Sequence, residues 1–135
     1  MTRLVLPASI VHFTAEEVSM GRDIPIELFH NIYPTIMVLD ALREWYGKPI
    51  YVHSTYRSPE YNAAVGGKKN SLHLKFNAID FGIKNFNDLK MLYEKLDGWD
   101  VENKYPHKFG LGLYERQKFI HLDTRGLFGL KRSRW

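Results

Sequence analysis

Two histidines and one aspartate are the residues whose types and spacing could do chemistry together. Asp80 follows His73 by seven positions, and His121 lies far downstream in Phe119-Ile120-His121-Leu122-Asp123. Imidazole nitrogens and a carboxylate oxygen suit zinc, and three protein ligands leave a fourth tetrahedral place for water, as in catalytic sites. Such an ion lowers the pKa of that water to about 7 and polarises a carbonyl. The same donors also suit other divalent ions, iron(II) among them. With no cysteine in the chain, thiolate ligands, a thiol nucleophile and a disulfide scaffold are excluded. Six histidines and fifteen acidic residues also produce His and Asp pairs by chance, so spacing alone leaves ordinary surface or core histidines as the alternative.

The elements that must position these groups can be read from periodicity and caps. Thr14 with Glu17 three residues on forms a capping-box pattern for a short first helix. Leu28, Ile32, Ile36, Leu39 and Leu42 recur at helical spacing between Pro25 and Tyr46, with a bend or fresh start at Pro34 and a stop at Gly47. Ile50 to Ser54 reads as a strand, Ser58-Pro59 as the cap and first position of a helical turn, and residues 66–70 as a loop. A second strand is expected over 78–83, an amphipathic helix over 87–96, and two strands over 109–114 and 118–123. Seven residues permit a tight turn between His73 and a strand bearing Asp80, and His121 on a neighbouring strand would complete the set. This order implies an α+β fold with helices packed on one face of a central antiparallel sheet. Residues 1–135 are expected to form a single domain.

Composition narrows the partners. Apolar residues make up 44% and charged residues 25%, enough for a real core. Nineteen Lys and Arg against fifteen Asp and Glu leave a net charge of +4, which favours anionic partners or serves solubility alone. No apolar run approaches the roughly 20 residues of a membrane span, so no membrane insertion is expected. Nor does Met1 to Met20 read as an export signal. A nucleic-acid partner is not expected, for want of a recognition motif.

Four ordered motifs carry a resemblance to a known family. They are Ser54-Thr55-Tyr56-Arg57-Ser58-Pro59-Glu60-Tyr61-Asn62; Val65-Gly66-Gly67; Ser71-x-His73 through Ala78-x-Asp80; and Phe119-x-His121-x-Asp123-x-Arg125-Gly126, with a Phe-Thr-x-x-Glu-like helix start and a final Arg-Trp beside them. Together they resemble the zinc D-alanyl-D-alanine carboxypeptidases, which include phage L-alanyl-D-glutamate endolysins and share the hedgehog-like fold. The likeness spans roughly residues 13 to 135. It implies one zinc ion held by His73, Asp80 and His121, and a hedgehog/D,D-peptidase-like fold. It also implies substrate contacts from Arg57, Ser71 and Tyr56, the guanidinium of Arg57 clamping a carboxylate. The partner implied is a peptidoglycan stem peptide cut by a monomeric D,D-carboxypeptidase or L,D-endopeptidase. Without an export signal, such a lysin would be made in the cytoplasm and reach the cell wall after release, as phage-encoded enzymes do.

Two departures from the family pattern matter. Phe76 stands where relatives commonly have glycine, so the turn between the first two ligands must tolerate a ring. Lys118 occupies the position three before the last histidine where some branches carry a catalytic glutamate. Asp123, sharing a strand face with His121, is the substitute proton carrier. Its alternative role is to orient His121 or bond Arg125. Arg57 has the alternative of tying its own turn, and Ser71 that of capping the turn into His73. Among other histidines, His53 is placed to line the cleft and His107 to stabilise an oxyanion, with solvent-facing or satisfied rings as the simpler reading. Lys131 to Arg134 reads as a solvated basic tail. A zinc-binding but catalytically inactive module of the same fold is the rival to the enzyme.

Overall fold

The computed structural model describes residues 3–135. Helix α1 (Ala15–Ser19) begins at the expected box: Glu17 N–H donates to Thr14 Oγ1 at 3.1 Å, and Thr14 N–H to Glu17 Oε1 at 3.0 Å. The apolar run after Pro25 divides in two, a 3-10 helix at Ile26–Ile32 and helix α2 at Tyr33–Tyr46. Pro34 sits in the first turn of α2, where a missing amide proton costs nothing. Ser58 caps α3 (Pro59–Ala64) through its hydroxyl, which accepts from Tyr61 N–H at 3.1 Å. Helix α4 (Leu89–Val101) follows a 3-10 turn at Phe86–Asp88 and runs five residues past the expected end at Leu96, because Trp99 continues its buried stripe.

The strands are β1 (Tyr51–Ser54), β2 (Ala78–Gly82), β3 (Gly110–Tyr114), β4 (Phe119–Asp123) and β5 (Ser133–Arg134), in spatial order β1-β2-β4-β3-β5. Three neighbouring pairs are antiparallel; β3 and β5 are parallel. The fold is therefore α+β with helices packed against a central sheet, as expected, but the sheet is mixed and not wholly antiparallel, because β5 runs parallel to β3. A second expectation is corrected. Residues 131–134 are not a free basic tail, since Ser133 and Arg134 form the edge strand β5.

Alternation along the strands separates two chemistries. Ile79, Phe81, Leu111, Ile120 and Leu122 are fully buried in one cluster with Ile36 and Leu39 of α2 and Leu92 and Leu96 of α4. Each such aliphatic side chain stabilises the fold by ~1.5–3 kcal/mol relative to exposure. The opposite face carries Asp80, His121, Asp123, Gly110 and Gly112. Register sets the critical neighbours, pairing Asp80 with His121 and His121 with Gly112.

Candidate metal centre

Strand pairing alone brings Asp80 and His121 side by side. His73 arrives from a compact turn over residues 71–76, closed by Leu74 N–H to Ser71 O at 3.1 Å and Asn77 N–H to Leu72 O at 3.1 Å. Ser71 Oγ accepts from His73 N–H at 3.2 Å, so Ser71 caps this turn. Phe76 completes it with φ 53°, a left-handed conformation that glycine adopts more easily, and its ring is fully buried. The structure thus accepts the ring at the glycine position by folding it into the core, against the edge of Tyr56 at 6.4 Å.

His73, Asp80 and His121 are all buried, and one ligand atom from each lies within 4.8 Å of the others. The atoms are identified by their partners. His73 Nδ1 faces the Thr55 carbonyl at 2.6 Å and must donate to it, which leaves Nε2 of the neutral ring with its lone pair. That Nε2 lies 3.2 Å from Asp80 Oδ2 yet makes no hydrogen bond among the described residues. A buried lone pair facing a carboxylate oxygen is two acceptors without a donor, an arrangement that a cation between them resolves. His121 Nδ1 meets the other Asp80 oxygen at 2.9 Å. The donor set is therefore capable of coordinating a metal ion, and nitrogen with oxygen ligands fits zinc.

The charged groups of the cluster also act on one another's protonation. Burial alone would raise the Asp80 pKa, but the hydrogen bond from His121 and the adjoining imidazoles outweigh it and hold the carboxyl well below its usual range. Burial opposes a charged His121 ring, yet Asp123 and Asp80 together raise its pKa. Asp123 is likewise drawn down to about 2 against its burial, by His121 and Arg125.

The surroundings of Asp123 are closed. Its side chain is fully buried, Oδ2 meets His121 Nε2 at 2.7 Å, and Arg125 donates from Nε to Oδ1 at 3.0 Å and from Nη2 to Oδ2 at 2.9 Å. Gly110 N–H adds a fourth bond, to Oδ1 at 3.1 Å. A side chain on Gly110 would collide with both Asp123 and Arg125.

Arg57 reaches the cluster, its Nη2 standing 3.8 Å from Asp80 Oδ2 with part of the side chain exposed. Its backbone N–H donates to His73 O at 3.1 Å, and its Nη1 to Asn62 Oδ1 at 3.4 Å. Tyr56 is buried, with its ring packed edge-on against Phe76. Lys118 sits in the β3–β4 turn at φ 65° with its ammonium over the Phe86 ring, so it supplies no base here. His53 lies over Gly82, on the face that carries Asp80. His107 lines an apolar cavity of about 270 Å³ with Tyr33, Met37 and Leu127.

Sequence reasoning missed the buried amide that holds the ligand strands in register. Asn77 donates to Asn31 O and to Thr124 Oγ1, each at 2.9 Å, and accepts from Thr124 N–H at 3.1 Å. It thereby ties the start of β2 to the end of β4 and to the helical layer. An asparagine beside an apolar strand was the only available signal.

A family model described as Peptidase M15 matches residues 10–123, a span that includes all three candidate ligands. No curated protein matches the chain. No helix among the described residues is long and apolar enough to cross a membrane.

Proposed function

The chain belongs to the Peptidase M15 family of zinc peptidases, and on that premise we propose that it hydrolyses an amide bond in the stem peptides of peptidoglycan. The observation that carries this reading is the unpartnered His73 Nε2 aimed at the Asp80 carboxylate beside His121 Nδ1. His73, Asp80 and His121 would hold the ion. When bound, zinc supplies Lewis acidity, lowering the pKa of a water and polarising the scissile carbonyl.

The chain's own residues do the rest. Thr55 fixes the tautomer of His73, and Asp123 fixes the orientation of His121 from the far side of its ring. The closed surroundings of Asp123 support this positioning role over a proton-carrying one, since both oxygens already accept bonds. Arg57 presents a guanidinium at the edge of the cluster, where a planar fork suits a substrate carboxylate. Its bond to Asn62 holds that fork in place. The enzyme would act as a monomer on the cell wall after leaving the cytoplasm, as a phage lysin does.

Incubation with purified cell walls or a defined stem peptide tests the reading. Free amine or D-alanine should appear with zinc present and vanish with chelator. A second reading, a zinc-binding module without turnover, is favoured by Lys118, whose side chain leaves no acid three residues before His121. Metal binding with no product from any stem peptide would support that module and overturn the hydrolase.

A further inference from the structure

The last strand belongs to the metal centre. Asp100, buried in α4, accepts from Arg132 Nε at 3.0 Å and Arg134 Nη2 at 2.6 Å, while Arg134 Nε bonds Asp97 at 2.8 Å. These bonds pin β5 beside β3. The ladder then extends one residue further, with Trp135 N–H donating to Leu111 O and Leu113 N–H to Trp135 O, each at 2.9 Å. Trp135 is thereby delivered to the face of the sheet that carries His121.

Its indole is held there from several directions. Nε1–H donates to Tyr114 Oη at 2.6 Å, and the ring lies 5.0 Å from the His121 ring at an angle of 48°. Gly112, the strand partner of His121, provides the space: a Cβ on it would stand 2.5 Å from Trp135 Nε1. Asp80 and Asp123 bond the two nitrogens of His121 and so fix the direction of the ring within its own plane. In-plane bonds resist tilting only weakly. The groups that oppose tilt are rings, the edge of His73 at 5.2 Å and the indole of Trp135.

We propose that Trp135 is a positioning residue of the metal centre: seated over Gly112 and bonded to Tyr114, its indole sets the tilt of His121 and so the direction of its Nδ1. This rests on the metal-centre part of the proposed function and is independent of the bond cleaved. Asp100, Arg132 and Arg134 are then the anchors of a site residue rather than a solvated cluster.

The test uses the full chain, with zinc affinity read by competition against a chromophoric chelator and coordination geometry read from the visible spectrum of the cobalt(II) form. Trp135→Ala should weaken zinc ten- to a hundredfold, the range for groups that orient metal ligands, and alter the cobalt spectrum. Trp135→Phe, which keeps an aromatic face, should restore both readouts. Gly112→Ala should reproduce the alanine defect with the indole still present but displaced. A merely structural role would lower the melting temperature of the metal-free protein and leave the cobalt spectrum of the folded protein unchanged. Wild-type affinity and spectrum in Trp135→Ala would overturn the inference. Zinc binding without cleavage in the wild type would sink the hydrolase reading alone, and the Trp135 comparison would still decide this one.

Discussion

Asp123 meets His121 Nε2 at 2.7 Å from the side opposite Asp80, so the imidazole is held between two carboxylates with one nitrogen given to each. Only the Asp80 side adjoins His73. The two acids therefore divide the work, one within the ligand set and one behind it. Asp123→Asn keeps the shape but loses the charge and weakens the Arg125 bonds. Zinc affinity and kcat should fall by about ten- to a hundredfold, the usual cost of losing such support. Unchanged zinc binding in this variant would refute the orienting role.

Loading the site should stabilise the fold by mass action. Zinc at a hundred times its Kd adds ~2.7 kcal/mol, seen as a rise in Tm that chelator reverses. In His73→Ala the rise should disappear, because a coordinating nitrogen is gone. A zinc-dependent rise that survives in that variant would place the ion elsewhere.

Arg57 is predicted to act on substrate binding. Arg57→Lys keeps the charge but loses the planar fork, so KM for a stem peptide should rise about tenfold, close to 1.4 kcal/mol, with zinc affinity unchanged. Steady-state kinetics across substrates with free and amidated carboxylates checks this. Equal KM values for the two proteins would remove Arg57 from the clamp role.

Phe76 sets backbone strain against core packing. Its φ of 53° favours glycine, yet its ring is fully buried against Tyr56. Relief of the left-handed conformation is worth ~1–2 kcal/mol, whereas removing a buried Phe side chain costs ~3–5 kcal/mol. Phe76→Gly should therefore destabilise by about 2–3 kcal/mol in urea unfolding. A stabilised variant would mean that strain dominates.

Alkaline pH offers a test remote from the metal. Burial, together with the hydrogen bond to Asp88 at 2.7 Å, pushes the Tyr46 pKa up to about 12 from an ordinary 10.0. The folded chain thus keeps a proton that the unfolded chain gives up. This contribution is fully present below pH 10 and is lost as pH rises toward 12. Tyr46→Phe should flatten that part of the stability curve, and an unchanged slope would contradict the assignment.

Much of this arrangement was legible in the linear order of residues. The box at Thr14, the restart at Pro34 and the strands bearing Asp80 and His121 follow from local rules, because caps, proline and alternation act over a few residues. The candidate metal ligands were recognisable as residue types in ordered motifs. Tertiary structure alone decided what depends on contacts between distant elements. Only the packed fold shows that Thr55 sets the tautomer of His73 and that Asp123 is sealed by Arg125 and Gly110. Nor does any local pattern reveal that a basic run pairs with Asp100 and carries Trp135 to His121. The physical reason is that periodicity tells which face of an element is buried, whereas the partner across that face is chosen by register, burial and charge summed over the whole chain.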